Sequence, residues 1–335
     1  MRLLSKKMIT LSLALGLPLA IGSIGVDAAT VATNPVTSPA VQAVSTVAAP
    51  VTNTVTAPVV HGTSLSVNGN PRKDMYVNAI AYQKSAEVAA LQRQAYELAT
   101  LRLDQALQHK GEYKKPLAII SDIDMTIMDD TTFQAEMMKE NKAFDNGPWD
   151  GYYHALATNA DQPIPGSVEF FKYAASKGVS VFYITNRDWD TLDETVAQLK
   201  HWGLPNADAA HVQVIPKGGS SDKQQRRDNV LQHYDVIMYL GDNIADFTSD
   251  FKRDYGPFKR TAMANDPQYA KKFGTQWIVF PNATYGDWLG AVWYNNKKAT
   301  AEDRSAYANN ILEYYRFTNP QWKIWYDGYI KDKIQ

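Results

Sequence analysis

Between residues 117 and 280, short apolar runs alternate with helical patterns, and few folds accommodate that order. The strand-like runs are Leu117–Ser121, Val179–Thr185, His211–Ile215, Val236–Leu240 and Trp277–Phe280. Helical patterns separate them, over Ser167–Ser176 after Pro165-Gly166, Asp190–His201 before Gly203, and Asp222–Gln232. Strand–helix alternation predicts right-handed crossovers and a parallel sheet, so the expected class is α/β. The interval 127–178 is longer than one crossover helix needs. It is read as the crossover plus an inserted, mostly helical cap.

The first run ends in Ser121-Asp122-Ile123-Asp124-Met125-Thr126. Ligands of open parallel sheets bind at the carboxyl ends of strands, so two acids stand at the mouth of the fold. Desolvating a carboxylate costs on the order of several kcal/mol unless a cation or donors meet it. A bound metal ion would compensate that cost, although Asp and Thr at such a turn can also simply cap the next helix. The fourth run ends in Gly241-Asp242-Asn243-Ile244-Ala245-Asp246. If the strand order reverses there, Asp242 lies beside the first pair, with Asp246 one helical turn on. Oxygen ligands without histidine or cysteine point to magnesium rather than zinc. The second run ends in Thr185-Asn186-Arg187, whose short donors suit a phosphate or, more plainly, an Asx turn. Lys223 opens the 222–232 helix, at the wrong end of its dipole unless an anion sits in front of it. The alternative is an exposed lysine offset by Asp222.

The chain has 335 residues, a formal net charge of −1 and no cysteine. The near-neutral balance argues against a nucleic-acid surface. Lack of cysteine excludes disulfides, thiolate chemistry and lipid attachment through an N-terminal cysteine. Residues 1–28 read as a secretory signal, with Arg2, Lys6 and Lys7 before an apolar run and Val26-Asp27-Ala28 as a cleavage site; an uncleaved anchor is the alternative. Residues 29–63 form an uncharged Ala/Val/Thr/Pro/Ser spacer, expected to be disordered. The folded part is placed at 64–335, with a helical segment over 73–109 and the core from 116. In that segment Val88, Leu91, Ala95, Leu98, Leu101 and Leu107 are the expected apolar stripe. The tail 301–335 reads as helical and aromatic.

Together the four strand-end motifs resemble the haloacid dehalogenase superfamily, and in detail its class C, lipoprotein e-like acid phosphatases with four aspartates. The resemblance extends to Phe144-Asp145, Trp149, Pro165-Gly166-Ser167-Val168-Glu169-Phe170, Lys223-Gln224-Gln225-Arg226 and Pro281-Asn282-Ala283-Thr284-Tyr285-Gly286. It implies a Rossmann-like sheet with a small helical cap. Three departures stand out: Met125 where the family has Glu, Phe133 where it has Tyr, and no lipobox cysteine. Met125 removes a charge near the site, which bears on substrate preference or pH optimum.

Residues and resemblance together imply a secreted or cell-surface phosphomonoesterase. Asp122 would be the nucleophile and Asp124 the acid–base residue, with acidic neighbours favouring its proton and an acidic optimum. Mg2+ would be held by Asp122, Asp124 through its carbonyl, Asp242 and Asp246, and phosphate by Thr185, Asn186 and Lys223. The family clamps a base or ring between two aromatics, matched here by Trp149 and Tyr285. The implied substrates are 5′-nucleotides, nicotinamide mononucleotide included, and aryl phosphates. The implied assembly is a homodimer. The rivals are a phosphotransferase on the same scaffold and a non-catalytic surface ligand-binding protein.

Overall fold

The structure is a computed structural model. It describes residues 71–140, 146–155 and 162–300, with a few positions between 303 and 311. The expected signal, spacer, Phe144-Asp145 and residues 312–335 of the tail lie outside the described residues.

Five parallel strands run β1 (Leu117–Ser121), β2 (Ser180–Ile184), β3 (Val212–Gln213), β4 (Asp235–Gly241) and β5 (Trp277–Val279), in the spatial order 3-2-1-4-5. The chain moves outward from β1 to β3 and then crosses back to place β4 beside β1. The order therefore reverses between β1 and β4, where open sheets leave a crevice. Register pairs Ile120 with Tyr239 and Ser121 with Leu240, so both strands end level. The backbone N–H of Asp122 still bonds Leu240 O, at 2.9 Å.

Both faces of the sheet are covered, which is why β1 reads as an unbroken apolar run. Ile119, Val181, Tyr183, Leu240 and Ile278 face one layer, against Tyr96, Ala99 and Leu103 of α2 (Ala86–Gln108), Phe170 and Phe171 of α5 (Ser167–Ser176), and Leu199 of α6 (Leu192–His201). Ala118, Ile120, Phe182 and Ile184 face the other, against Val230 of α7 (Gln224–His233).

The helical segment at 73–109 is two helices, α1 (Pro71–Gln83) and α2, broken where Ser85 accepts a bond from Val88 N and caps α2. The buried stripe of α2 is Val88, Gln92, Ala95, Tyr96, Ala99 and Leu103, whereas Leu91 and Leu101 of the expected stripe are exposed. The stripe is rotated because Tyr96 is the anchor. Its ring lies among Phe170, Phe171 and Phe280, and its hydroxyl donates to Thr126 O at 2.7 Å, beneath the turn after β1. The interval 127–178 holds α3 (Thr131–Lys139), α4 (Asn146–Ala155) and α5. Beyond β4 lie α8 (Gly256–Ala264), α9 (Pro267–Ala270) and, after β5, α10 (Asp287–Val292). Among the described residues no helix is long and apolar enough to cross a membrane.

Candidate active site

Asp122, Asp242 and Asp246 each bring one carboxylate oxygen within 4.8 Å of the others. Their convergence has local causes. β1 delivers Asp122 and β4 delivers Asp242, one residue past each strand end. Asp246 lies on a short 3-10 turn rather than an α-helix, and a capping box fixes it: Asn243 accepts from Ala245 N while Asp246 Oδ2 accepts from Asn243 N at 2.9 Å. Gly241 is required for this fold-back. A Cβ there would lie 2.5 Å from Asp246 Cβ, closer than real side chains come.

Lys223 faces these acids. Its Nζ lies 2.5 Å from Asp122 Oδ1 and 2.7 Å from Asp246 Oδ1, and the side chain is buried. The alternative of an exposed lysine therefore falls. Lys223 is the N-cap of α7 rather than a residue within it. Asp222 bonds Gln224 N at 2.8 Å and so satisfies the helix start, leaving Lys223 to turn inward.

The charges do not balance within the protein. Three carboxylates meet one ammonium. Burial pushes the Asp122 carboxyl up to about 7 from the usual 3.8, with Asp246 and Asp124 adding to the rise and Lys223 opposing it. Burial also holds Asp242 well above the carboxylate range, with Asp246 and Asp122 reinforcing it. Hard oxygen donors with surplus negative charge fit a divalent cation, which would hold all three ionised. A stability consequence follows. In metal-free protein, Asp122 keeps its proton in the fold up to about pH 7 but would lose it near 3.8 when unfolded. A raised folded value contributes stability that is complete below the unfolded value and is lost as pH rises through the folded one. In chelator, the thermal midpoint of the wild type relative to Asp122→Asn is expected to fall across that window, and excess Mg2+ to remove the fall. A pH-independent difference in chelator would refute this account.

Asp124 is turned away from the trio. Its two oxygens meet the buried Arg187, whose Nη2 lies 2.9 Å from Oδ1 and whose Nε lies 3.2 Å from each oxygen; Thr185 Oγ1 donates to Oδ2 at 3.0 Å. A ligand role for Asp124 thus rests on its backbone carbonyl. Its neighbours include the expected acids, Asp122 and Asp130, but the group that bonds both its oxygens is a cation, which sequence reasoning did not anticipate. Arg187 is held in turn by Thr195, Gln198 and the Met128 sulfur, under the ring of Tyr153. Met125 is fully buried in a left-handed conformation, with φ 58°, and its N–H bonds Met128 O.

Thr185 is buried on Asp124, while Asn186 is exposed, its Oδ1 accepting from Arg226 Nη2 at 2.6 Å. Arg226 also donates to Thr185 O, so it ties the end of β2 to α7. Trp149 and Tyr285 do come together, but as a closed pair. Their ring centres are 5.7 Å apart at 66°, edge to face, with no parallel slot for a third ring between them. Phe133 packs on Trp149 at 4.7 Å, in the same cluster. Tyr285 also donates to Asp130 Oδ2 at 2.8 Å. Asp130 is fully buried, and burial, with Asp124 nearby, holds it well above the carboxylate range.

Sequence reasoning missed Arg187, Asp130, Arg226 and Asn282. Arg187 carried a signal: it lies two residues beyond Thr185, on a strand that ends beside the acids. Asn282, whose Nδ2 donates to Asp242 Oδ2 at 2.8 Å, lay in a motif quoted above without a role.

A five-stranded parallel sheet with acids and a lysine converging at its reversal point defines an α/β protein with an aspartate-rich ligand site at the switch point. The family model of HAD superfamily, subfamily IIIB (acid phosphatase), matches residues 42–288. The crystal structure of the class C acid phosphatase from Bacillus anthracis with tungstate bound is similar at 33% identity and a TM-score of 0.64, over 71% of this chain and 96% of that one. A second structure of the class C acid phosphatase from Bacillus anthracis gives 31% and 0.63 over the same shares. The chain belongs to the subfamily IIIB acid phosphatases of the HAD superfamily. It is a phosphoric monoester hydrolase, and the non-catalytic rival falls away. Phosphatases of this superfamily typically use a divalent metal, and Asp122, Asp242 and Asp246 are an acidic cluster able to hold one.

Proposed function

We propose that the protein is a secreted, Mg2+-dependent acid phosphatase acting on 5′-nucleotides, nicotinamide mononucleotide included, and on aryl phosphates. The observation that carries the reading is Lys223 bridging Asp122 and Asp246, with Asp242 beside them. The tungstate in the Bacillus anthracis relative supports it, since tungstate is an oxyanion of phosphate's shape.

Asp122 attacks phosphorus and the ester P–O bond breaks. Asp124, bonded by Arg187 through both oxygens in the resting site, takes up the proton that a substrate monoanion brings and gives it to the leaving alcohol. It then takes one from the water that attacks the aspartyl-phosphate, and passing that proton to the departing inorganic phosphate restores both side chains. Lys223, Thr185 and Asn186 hold the non-bridging oxygens, where transition-state charge spreads. Arg226 keeps the Asn186 oxygen occupied, which leaves the amide N–H groups for phosphate. Asp122, Asp242, Asp246 and the Asp124 carbonyl would hold magnesium, which when bound would supply positive charge against the repulsion between nucleophile and phosphate. Residues 1–28 act as the signal and 29–63 as the spacer of a secreted or surface-associated protein. The family match begins at residue 42, inside that spacer. The protein functions as a homodimer.

Helices α3 and α4 form the cap, and Trp149 with Tyr285 forms the aromatic wall for the leaving group. A base enters when the edge-to-face pair parts. Base–aromatic stacking contributes about 1–3 kcal/mol. Trp149→Ala is therefore expected to raise KM for a nucleoside monophosphate roughly 5- to 150-fold, leaving that of a small alkyl phosphate unchanged. The deciding assay is a panel of phosphomonoesters in chelator and with added Mg2+, with a nucleoside acceptor in parallel to expose any transferase activity. Full turnover in chelator would overturn the metal dependence. Equal KM changes for large and small substrates would overturn the aromatic wall.

A further inference from the structure

We propose that the corner between α1 and α2, outside the sheet and its crossovers, is a positioning element of the metal centre. It acts through Gln83, the loop after β5, and Asn282. The inference rests on the proposed metal site.

Gln83 is the last residue of α1, immediately before the break at Lys84-Ser85. It is 2% exposed, unusual for a side-chain amide, and both ends of that amide are used on one loop. Nε2 donates to Pro281 O at 2.9 Å, and Oε1 accepts from Ala283 N at 3.0 Å. The pair of bonds imitates a neighbouring strand, and the flipped amide could make neither. Between those two anchor points sits Asn282. Its Oδ1 accepts from Thr284 N at 2.8 Å, Thr284 Oγ1 at 2.7 Å and Tyr285 N at 3.3 Å. With the oxygen occupied by the loop itself, the Nδ2 can only point outward, and it meets Asp242 Oδ2 at 2.8 Å. A carboxylate ligand with one oxygen fixed from behind presents the other in one direction.

The same corner reaches a second loop. Lys84 Nζ pairs with Asp129 Oδ2 at 2.8 Å, next to the Asp130 that holds the Tyr285 hydroxyl. Lys84 is half exposed, so this contact contributes little, and the work falls to Gln83.

The test is Mg2+ affinity of the resting protein, read by titration calorimetry without substrate. Asn282→Ala is expected to weaken binding about 10- to 100-fold, as for other partners of metal ligands. Gln83→Ala is expected to weaken it about 3- to 10-fold with the metal ligands themselves untouched, and Lys84→Ala less than about twofold. Adding Gln83→Ala to Asn282→Ala is expected to change affinity no further, because both act through one bond to Asp242. Gln83→Met, of similar shape, replaces Gln83→Ala should the latter not fold. Wild-type affinity in the Gln83 variants, or effects that add, would overturn the inference alone. Absence of binding in the wild type, matched by Asp242→Asn, would overturn the metal site and this inference with it.

Discussion

Asp122→Asn is expected to lose roughly 10^4- to 10^6-fold in turnover, the range found when a catalytic group acting in a unit is removed. The amide matches the carboxylate in shape but has no charge to place on phosphorus. The variant should nonetheless fold. Asp122 is one of three acids facing one lysine, and Lys223 keeps Asp246 at 2.7 Å when it goes. Removing a buried charge that its acidic neighbours repel should leave stability in chelator at neutral pH equal to the wild type or higher. The pairing of an inactive enzyme with an undiminished thermal midpoint is the signature of a nucleophile under strain. Turnover of an aryl phosphate within a hundredfold of the wild type would place the nucleophile elsewhere. A collapse in stability would make Asp122 a structural partner of Lys223 first.

The elements that position these acids were legible because each combines a local pattern with a boundary. Leu117–Ser121 reads as a strand because both its faces are buried, and the helix at Ser167–Ser176 begins after Pro165-Gly166. β3 is shorter than the expected His211–Ile215 because it is an edge strand. Only Val212 and Gln213 pair with β2, and Ile215 N turns to Arg187 O. The break at Ser85 was hidden because apolar residues continue at helical spacing through it. At the site, carboxylates at strand ends announce themselves. The side chains that aim them do not. Arg187 meets Asp124 across 63 positions, Asn282 meets Asp242 across 40, and Gln83 meets its loop across about 200. Such pairs leave no period or spacing to read. The aromatic pair shows a different limit: sequence placed Trp149 and Tyr285 at one site, but not the edge-to-face contact that closes the space between them.

Arg187→Met is expected to destabilise the protein by about 3–5 kcal/mol, the usual cost of breaking a buried ion pair from one side. For a chain of this size that lowers the thermal midpoint by roughly 6–20 °C. Arg187 is 1% exposed, and its guanidinium bonds both oxygens of Asp124 as well as Thr195 and Gln198. Methionine fills much of the volume but leaves the Asp124 charge buried with the Thr185 hydroxyl at 3.0 Å and no cation. The converse change, Asp124→Asn, strands the guanidinium instead and should cost a similar amount. If the pair is one unit, the double variant costs far less than the two singles combined, since neither charge then remains to be stranded. Activity separates this from packing. Arg187→Met should lower kcat much more than it raises KM, because Asp124 loses the partner that holds its carboxylate in one rotamer while Lys223, Thr185 and Asn186 still hold phosphate. Additive stabilities, or a loss confined to KM, would mean that the guanidinium serves the fold around α6 and not the acid beside the nucleophile.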